Sequence, residues 1–101
     1  MTRAIQLMPR NANYYHQRGY MYLRQQGAQD IGYVSRDRKI DLSVIGLAIA
    51  DFTKAIQLNP VAPMSYSHRA TAYCVLGEKA LSVADYLKAK EQGVVYITKC
   101  P

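Results

Sequence analysis

The residues of this chain that could carry out chemistry are two histidines, two cysteines and seven acidic side chains. His16 and His68 are the two histidines, and neither has a cysteine, aspartate or glutamate three or four positions away. Metal ligands on one helix need that spacing in order to share a face. The pattern argues against a metal centre, and we expect no metal and no other cofactor.

A catalytic role has equally little support from the sequence. The chain contains no G-x-S-x-G, P-loop or H-E-x-x-H motif. Asp51 and Asp85 lie 34 positions apart. We expect both on helix surfaces, as ion-pair partners of an arginine or lysine on a neighbouring turn rather than as an acid/base pair. We therefore predict that the chain is not an enzyme.

Charge and cysteine content limit the kinds of partner and compartment. The 101 residues carry 13 Lys and Arg against 7 Asp and Glu, a net charge of +6, which favours acidic partners by long-range attraction. Cys74 and Cys100 form no disulfide framework, so we expect two thiols in a reducing, cytoplasmic compartment. Neither a run of 18 apolar residues nor a secretory signal occurs, so no membrane contact is expected.

The elements that would position these side chains are helices. Ile45, Ile49, Phe52 and Ile56 recur at helical spacing and predict a helix over 44–58 with one apolar face. Weaker stripes, bounded by caps and breakers, predict three more helices, which cover 12–26, 63–76 and 79–92.

Local signals predict where these helices begin and end. Asn11 or Asn13 can cap the first of them. Gly77 stands at a C-cap position, and Gly93 ends the last helix. The residues of that last helix expected to face inward are Leu81, Ser82, Tyr86 and Ala89.

The chain repeats itself at two different offsets. The segment ADFTKA at 50–55 returns 34 positions later as ADYLKA at 84–89, and a 34-residue period is typical of stacked helix pairs. The segment YHQRG at 15–19 returns 51 positions later as YSHRA at 66–70. The difference of 17 residues predicts an insertion at about 27–43, between the two helices of the first unit.

Two segments depart from this regular pattern. The insertion is long for a helical hairpin. It is either a mobile, dispensable loop or an arm that contacts a partner or exchanges between copies. Residues 2–9 (TRAIQLMP) nearly copy residues 53–60 (TKAIQLNP), so we expect 1–9 to be the end of a preceding helix.

An arginine also recurs at equivalent places in the two units. Arg18 and Arg69 each precede a small residue, Gly19 and Ala70. We expect both to have a structural role, with the stem packed and the charged head in water.

Aromatic and small residues stand at matching places in the two units. They are Tyr15, Gly19, Tyr22, Ala48, Phe52, Ala55 and Pro60 in the first, and Tyr66, Ala70, Tyr73, Gly77, Tyr86 and Ala89 in the second. This pattern resembles the tetratricopeptide repeat family. The resemblance covers nearly everything except the insertion and the tail. It departs at Ser82, where the family usually has alanine, and at Val94, where a repeat-ending proline is usual.

The resemblance implies an all-α fold. It would be an α-solenoid of helix-turn-helix hairpins, with two full units, a leading helix fragment and a long insertion between the helices of the first unit. One domain over 1–101 is expected. Its parts are the end of a preceding repeat helix at 1–9, a first repeat at 12–60 with the insertion at 27–43, a second repeat at 63–92 and a tail at 93–101.

In this family the first helix of each unit lines a concave groove. The resemblance therefore implies a protein-protein interaction scaffold that holds a partner peptide or helix on exposed groove side chains. We expect apolar contact from Tyr20 and Leu23, while Arg24, with His16 and Asn13, favours an acidic or polar partner. Carried over residue by residue, the groove comprises Asn13, His16, Tyr20, Leu23, Arg24, Met64, Ser67, Thr71, Cys74 and Val75.

Two alternative functions stay open at this point. A stable stack normally needs about three repeats, so we expect the chain either to be a piece of a longer array or to associate with itself, as a dimer that exchanges helices across the insertion. The weaker alternative is binding of single-stranded nucleic acid, because arginines alternate with potential stacking aromatics. These are Arg10, Arg18, Arg24, Tyr14, Tyr15, Tyr20 and Tyr22.

Overall fold

A computed structural model describes residues 11–27 and 40–94 of the chain, and all the regular structure within those ranges is helical. The helices are α1 (Ala12–Gln25), α2 (Leu42–Leu58), α3 (Pro63–Val75) and α4 (Lys79–Glu91). The all-α prediction is confirmed, and the helix bounds agree with the sequence to within two residues. The predictions for 1–9, for 28–39 of the insertion and for 95–101 of the tail lie outside the described residues.

Helix ends follow local chemistry. Asn11 is the cap of α1, and its side-chain oxygen accepts the backbone N–H of Asn13 at 3.0 Å. At the end of α3, Gly77 adopts a φ of 84°, which L-residues with a side chain rarely take. The N–H groups of Gly77 and Glu78 then bond back to carbonyls in the last turn of α3, both at 2.9 Å. Gly77 therefore ends this helix as the sequence predicts.

Consecutive helices pack against one another. The contacts between α1 and α2 are the most extensive, followed by those between α3 and α4 and between α2 and α3. The core at the meeting of the first three helices consists of Leu23, Ile45, Ala48, Phe52 and Ala72, all fully buried. Ile45 and Phe52 confirm the predicted apolar face of α2, and Ile49 packs at the edge of the same cluster.

Small residues allow the helices to approach closely. An added Cβ at Gly19 would lie 3.0 Å from a ring carbon of Phe52 and 3.1 Å from the carbonyl oxygen of Ala48. The other small residues of the repeat pattern are also buried: Ala48, Ala55, Ala70 and Ala89. These positions confirm the close packing expected from the sequence.

The inner face of α4 differs at one position from the prediction. Ser82, Tyr86 and Ala89 are buried as expected, but Leu81 is exposed. The inward position is taken by Asp85, which a charged partner draws into the interior. Ser82, at the place of the family's alanine, donates its hydroxyl to the carbonyl of Ala70 at 2.8 Å. That bond ties α4 to α3.

Two glutamines join the end of one helix to the start of another. Gln26, just after α1, accepts the backbone N–H of Asp41, the cap of α2, at 2.8 Å. Gln92, just after α4, accepts the N–H of Ala62 and donates to the carbonyl of Pro60, both at 2.9 Å. The end of α1 thus lies beside the start of α2, and the end of α4 beside the start of α3. Both pairs are therefore antiparallel.

Candidate functional site

A repeated arginine–aspartate pair joins the two helices of each unit. In the first unit, the Arg18 guanidinium donates to both carboxylate oxygens of Asp51, at 2.8 and 2.7 Å. Asp51 is buried. The structural role predicted for Arg18 agrees with this bidentate pairing, which compensates the buried carboxylate. Its side chain is 25% exposed, so the head is only partly in water.

The second unit repeats the arrangement with more contacts. Arg69 donates to both oxygens of the buried Asp85, at 2.7 Å each, and to the hydroxyl of Thr53 at 3.1 Å. Its guanidinium also lies 5.5 and 5.7 Å from the ring centres of Tyr66 and Tyr73. The hydrogen bond with Asp85 raises the pKa of Arg69.

These two pairs explain why the arginines and aspartates recur. The sequence correctly predicts that Asp51 and Asp85 form ion pairs. It places them wrongly on helix surfaces, with partners on a neighbouring turn. The partner is on the other helix of the same unit, 33 and 16 positions away. All four residues therefore hold the hairpins together and do not line a site.

A cluster of aromatic rings lies where α1, α2 and α3 meet. The ring centres of His16 and His68 are 5.5 Å apart, and the Tyr20 ring packs on that of His68 at 4.7 Å with a tilt of 49°. Phe52 completes the cluster at 5.6 and 5.9 Å from the two histidines. His16 Nδ1 is hydrogen bonded to the Ser65 hydroxyl at 2.8 Å. The two histidines thus link the first helices of the two units.

Burial keeps both histidines neutral near pH 7. It lowers the pKa of His68 to about 4, with a smaller contribution from the charge of His16. Burial also lowers the pKa of His16. His16 therefore offers a hydrogen-bonding ring rather than the positive charge that would favour an acidic partner.

Three predicted groove residues line one depression of about 330 Å³ between the starts of α1 and α3 and the end of α2. They are Asn13, His16 and Met64. The sequence did not predict the other residues that line the depression. The groove implied by the resemblance is built from the first helices alone and leaves out the turn that connects the units. These residues could have been found from one signal in the sequence, a turn between two helices that contains proline and an apolar valine. The missed residues are Ala12, Ala55, Asn59, Val61, Ala62, Pro63 and Ser65.

The remaining predicted residues of α1 have different environments. Arg24 is exposed as expected. Tyr20 is half-buried, and its ring is already stacked on His68. Leu23 is fully buried in the core with Ala72 of α3. The expectation that Leu23 faces a partner is therefore wrong, because α2 and α3 together enclose that side of α1.

The remaining predicted residues of α3 are mostly shielded. Thr71 is buried and donates its hydroxyl to the carbonyl of Ser67, one turn earlier, at 3.3 Å. Val75 packs against the core cluster, and Ser67 is half-buried. The expectation that Thr71 and Val75 are exposed is wrong. The open part of the candidate site lies at the N-terminal ends of α1 and α3.

Cys74 is disulfide-bonded, which contradicts the expectation of a free thiol. Its sulfur is therefore not available to a groove ligand. The predicted cytoplasmic location rested partly on reduced cysteines and stays a prediction. Within 11–27 and 40–94, no helix has the length and apolar character needed to cross a membrane.

The described part of the chain offers no group of three histidine, cysteine or acidic side chains suited to a metal ion. Its aromatic and basic residues are also largely engaged. Arg18 is held by Asp51 and lies 6.0 Å from the Tyr15 ring, while Tyr20 is stacked on a histidine. Arg10 lies outside the described residues. A platform for stacking nucleic-acid bases therefore loses three of its seven expected members, Arg18, Tyr15 and Tyr20.

Comparison of the chain with models of protein families, with curated proteins and with solved structures finds no match. The tetratricopeptide resemblance therefore rests on this chain's own residues and spacing. What the site does has to be argued from its geometry.

Proposed function

We propose that the chain is a tetratricopeptide-type α-solenoid segment that acts as a non-catalytic scaffold, with a partner segment bound in the depression between α1 and α3. The repeat assignment is supported by the Arg18–Asp51 and Arg69–Asp85 pairs, which recur at equivalent places in the two hairpins. The close contact at Gly19 also fits a stack of helix pairs.

The observation that carries the binding proposal is the exposed apolar surface at this depression. Met64 is 50% exposed and Val61 70% exposed, although both are apolar. Asn13 and Asn59 stand beside them with polar side chains. An apolar hollow with a few hydrogen-bonding groups at its edge suits one anchoring side chain of a partner and its backbone.

Charge and distance define the partner further. Arg24 is exposed on α1, eleven positions beyond Asn13, which corresponds to about 16 Å along the helix. An extended segment of five or six residues spans that length. The partner we propose is therefore a peptide with an apolar anchor and a carboxylate about five residues away.

A displayed library of random peptides panned on the full chain tests this proposal. We expect enrichment of peptides that combine an apolar and an acidic residue. Met64→Glu should weaken their binding at least tenfold, because it places a charge in the hollow. Met21→Glu is the matched control: Met21 is 46% exposed on α1 and does not line the depression.

Two results would contradict the groove assignment. One is the absence of enriched peptides, and the other is equal binding by the two methionine variants. Tight binding of a labelled single-stranded oligonucleotide, with a steep loss at higher salt, would instead favour the nucleic-acid alternative.

The helix-exchanged dimer gains no support from the contacts. In one chain α1 already packs on α2, and Gln26 bonds to Asp41 across the connection. Exchange of helices therefore stays a prediction from the sequence.

A further inference from the structure

The outward side of α4 is apolar, and no helix within 11–27 and 40–94 covers it. Val83 is 51% exposed and Leu87 is 62% exposed. Ala80 and Ala84 are exposed beside them. We call these four residues the α4 outer face. An exposed, contiguous apolar surface of this kind marks a contact with another surface.

The corresponding side of α2 packs against the next helix. Ile49 and Thr53 stand 34 positions before Val83 and Leu87. Ile49 packs at the edge of the core, and Thr53 accepts a hydrogen bond from Arg69 of α3. In α2 this side is therefore an interface with the next helix, whereas in α4 no other described helix packs on it.

The residues that differ between the two faces restrict the occupant. A helix like α3 brings an arginine that bonds to the hydroxyl of Thr53 at 3.1 Å. Leu87 stands at that place in α4 and has no acceptor, so a helix of the α3 type would leave a donor unpaired there. The α4 outer face favours an apolar surface instead.

The charges of α4 favour a second copy of the same helix. Lys79 and Glu91 are exposed at opposite ends of α4. When two α4 helices run antiparallel with Val83 opposite Leu87, each Lys79 comes opposite the partner's Glu91. A parallel pair would place like charges together. Glu91 also lies 3.8 Å from Lys88, a solvent-exposed contact that is easily exchanged.

We propose that two copies of this chain associate through the α4 outer face, antiparallel across a two-fold axis. Such an isologous contact uses the same residues twice. α4 has 13 residues and is about 20 Å long, so the contact is smaller than the roughly 800 Å² per partner of a standard interface. The dimer is therefore weak and forms at micromolar or higher concentration. It leaves the depression between α1 and α3 free.

Sedimentation equilibrium of the full chain over a range of concentrations tests the proposal. We expect a monomer–dimer equilibrium that Leu87→Glu weakens at least tenfold. Lys79→Glu should weaken it as well, because it puts two acidic groups opposite each other. Combining Lys79→Glu with Glu91→Lys should restore it. Leu47→Glu, at a leucine 51% exposed on α2, is the control and should leave the equilibrium unchanged.

Other outcomes overturn the proposal. The proposal is wrong if the chain is monomeric at all concentrations, or if its dimer is insensitive to Leu87→Glu. A dimer that survives denaturation without reductant is joined by cysteines. A monomer that, with reductant present throughout, dimerises only after removal of residues 95–101 shows that this segment covers α4. The first of these two results contradicts a non-covalent dimer through α4, and the second contradicts an uncovered α4 outer face.

Discussion

At the scale of single residues, the two arginine–aspartate pairs hold together the two helices of each hairpin. A carboxylate in the interior is costly unless its charge and its lone pairs are both matched. Arg18 and Arg69 each supply two parallel hydrogen bonds that do this. The repeat of the pair in both hairpins fixes each first helix against its second helix at the same place.

Removal of one member of the buried pair should therefore be costly. We expect Asp85→Ala to lower the free energy of unfolding by about 2–4 kcal/mol, since it leaves the Arg69 guanidinium without its main partner. The surface pair Lys88–Glu91, at 3.8 Å, is the matched control. Below the concentration at which the proposed dimer forms, Glu91→Ala should cost less than about 0.5 kcal/mol.

Urea unfolding followed by circular dichroism measures both variants under the same conditions. Equal losses in the two variants would mean that the Arg69–Asp85 contact contributes no more than a solvated ion pair. The structural role assigned to it here would then be wrong.

At the scale of the helices, the distance between α1 and α2 depends on one missing side chain. An added Cβ at Gly19 would meet the Phe52 ring at 3.0 Å and a backbone oxygen at 3.1 Å. Gly46, on the outward side of α2, has no atom within 4 Å of the same added carbon. The two glycines therefore respond in opposite ways to the same substitution.

We expect Gly19→Ala to destabilise the chain by about 1–2 kcal/mol, because overpacking exceeds the gain in helix propensity. Gly46→Ala should stabilise it by about 0.5–1 kcal/mol through helix propensity alone. Thermal unfolding of the two variants gives the comparison. A stabilising Gly19→Ala would show that α1 and α2 separate readily, against the close packing described here.

Helix positions were predictable because their signals are local. Each signal, such as the cap Asn11, the terminating Gly77 or the isoleucine stripe of α2, determines the conformation of its own helical turns. The sequence therefore places the helix ends within two residues. Leu23 and Leu81 were misplaced for the opposite reason. Whether each is buried depends on other helices: α2 and α3 enclose Leu23, and the pairing of Asp85 with Arg69 of α3 sets the inner face of α4.

At the scale of the whole molecule, the aromatic cluster joins α1, α2 and α3, and its histidines can take up a proton. His68 has a pKa of about 4 when folded, against an ordinary value of 6.5. Between these values the unfolded chain binds more protons than the folded chain, so acid favours unfolding. This part of the stability is fully present above about pH 6.5 and is lost as the pH falls toward 4.

The expected loss from His68 is at most roughly 3 kcal/mol over that range. His68→Phe should flatten the dependence, because a phenyl ring keeps the stacking with Tyr20 and cannot take up a proton. Urea midpoints at pH 7, 6 and 5 for both chains measure the difference. Parallel pH curves would show that His68 is not titrating in contact with its neighbours.

The candidate site was predicted only in part. Asn13, His16 and Met64 follow from their places on the first helices, and they come together at one depression. Val61 and Asn59 could not be assigned in this way, since they belong to the turn between units and reach the depression only when α2 and α3 pack. Sequence spacing within a helix says little about such a turn.

The bond between Gln26 and Asp41 has a consequence for engineering. Because Gln26, just after α1, bonds to the backbone of Asp41, at the start of α2, the number of residues between these two points does not set how α1 packs on α2. Doubling such a length costs only about 0.6 kcal/mol. We therefore expect that an epitope or a fluorescent reporter can be inserted between Gln26 and Asp41 without changing how the helices of the two hairpins pack.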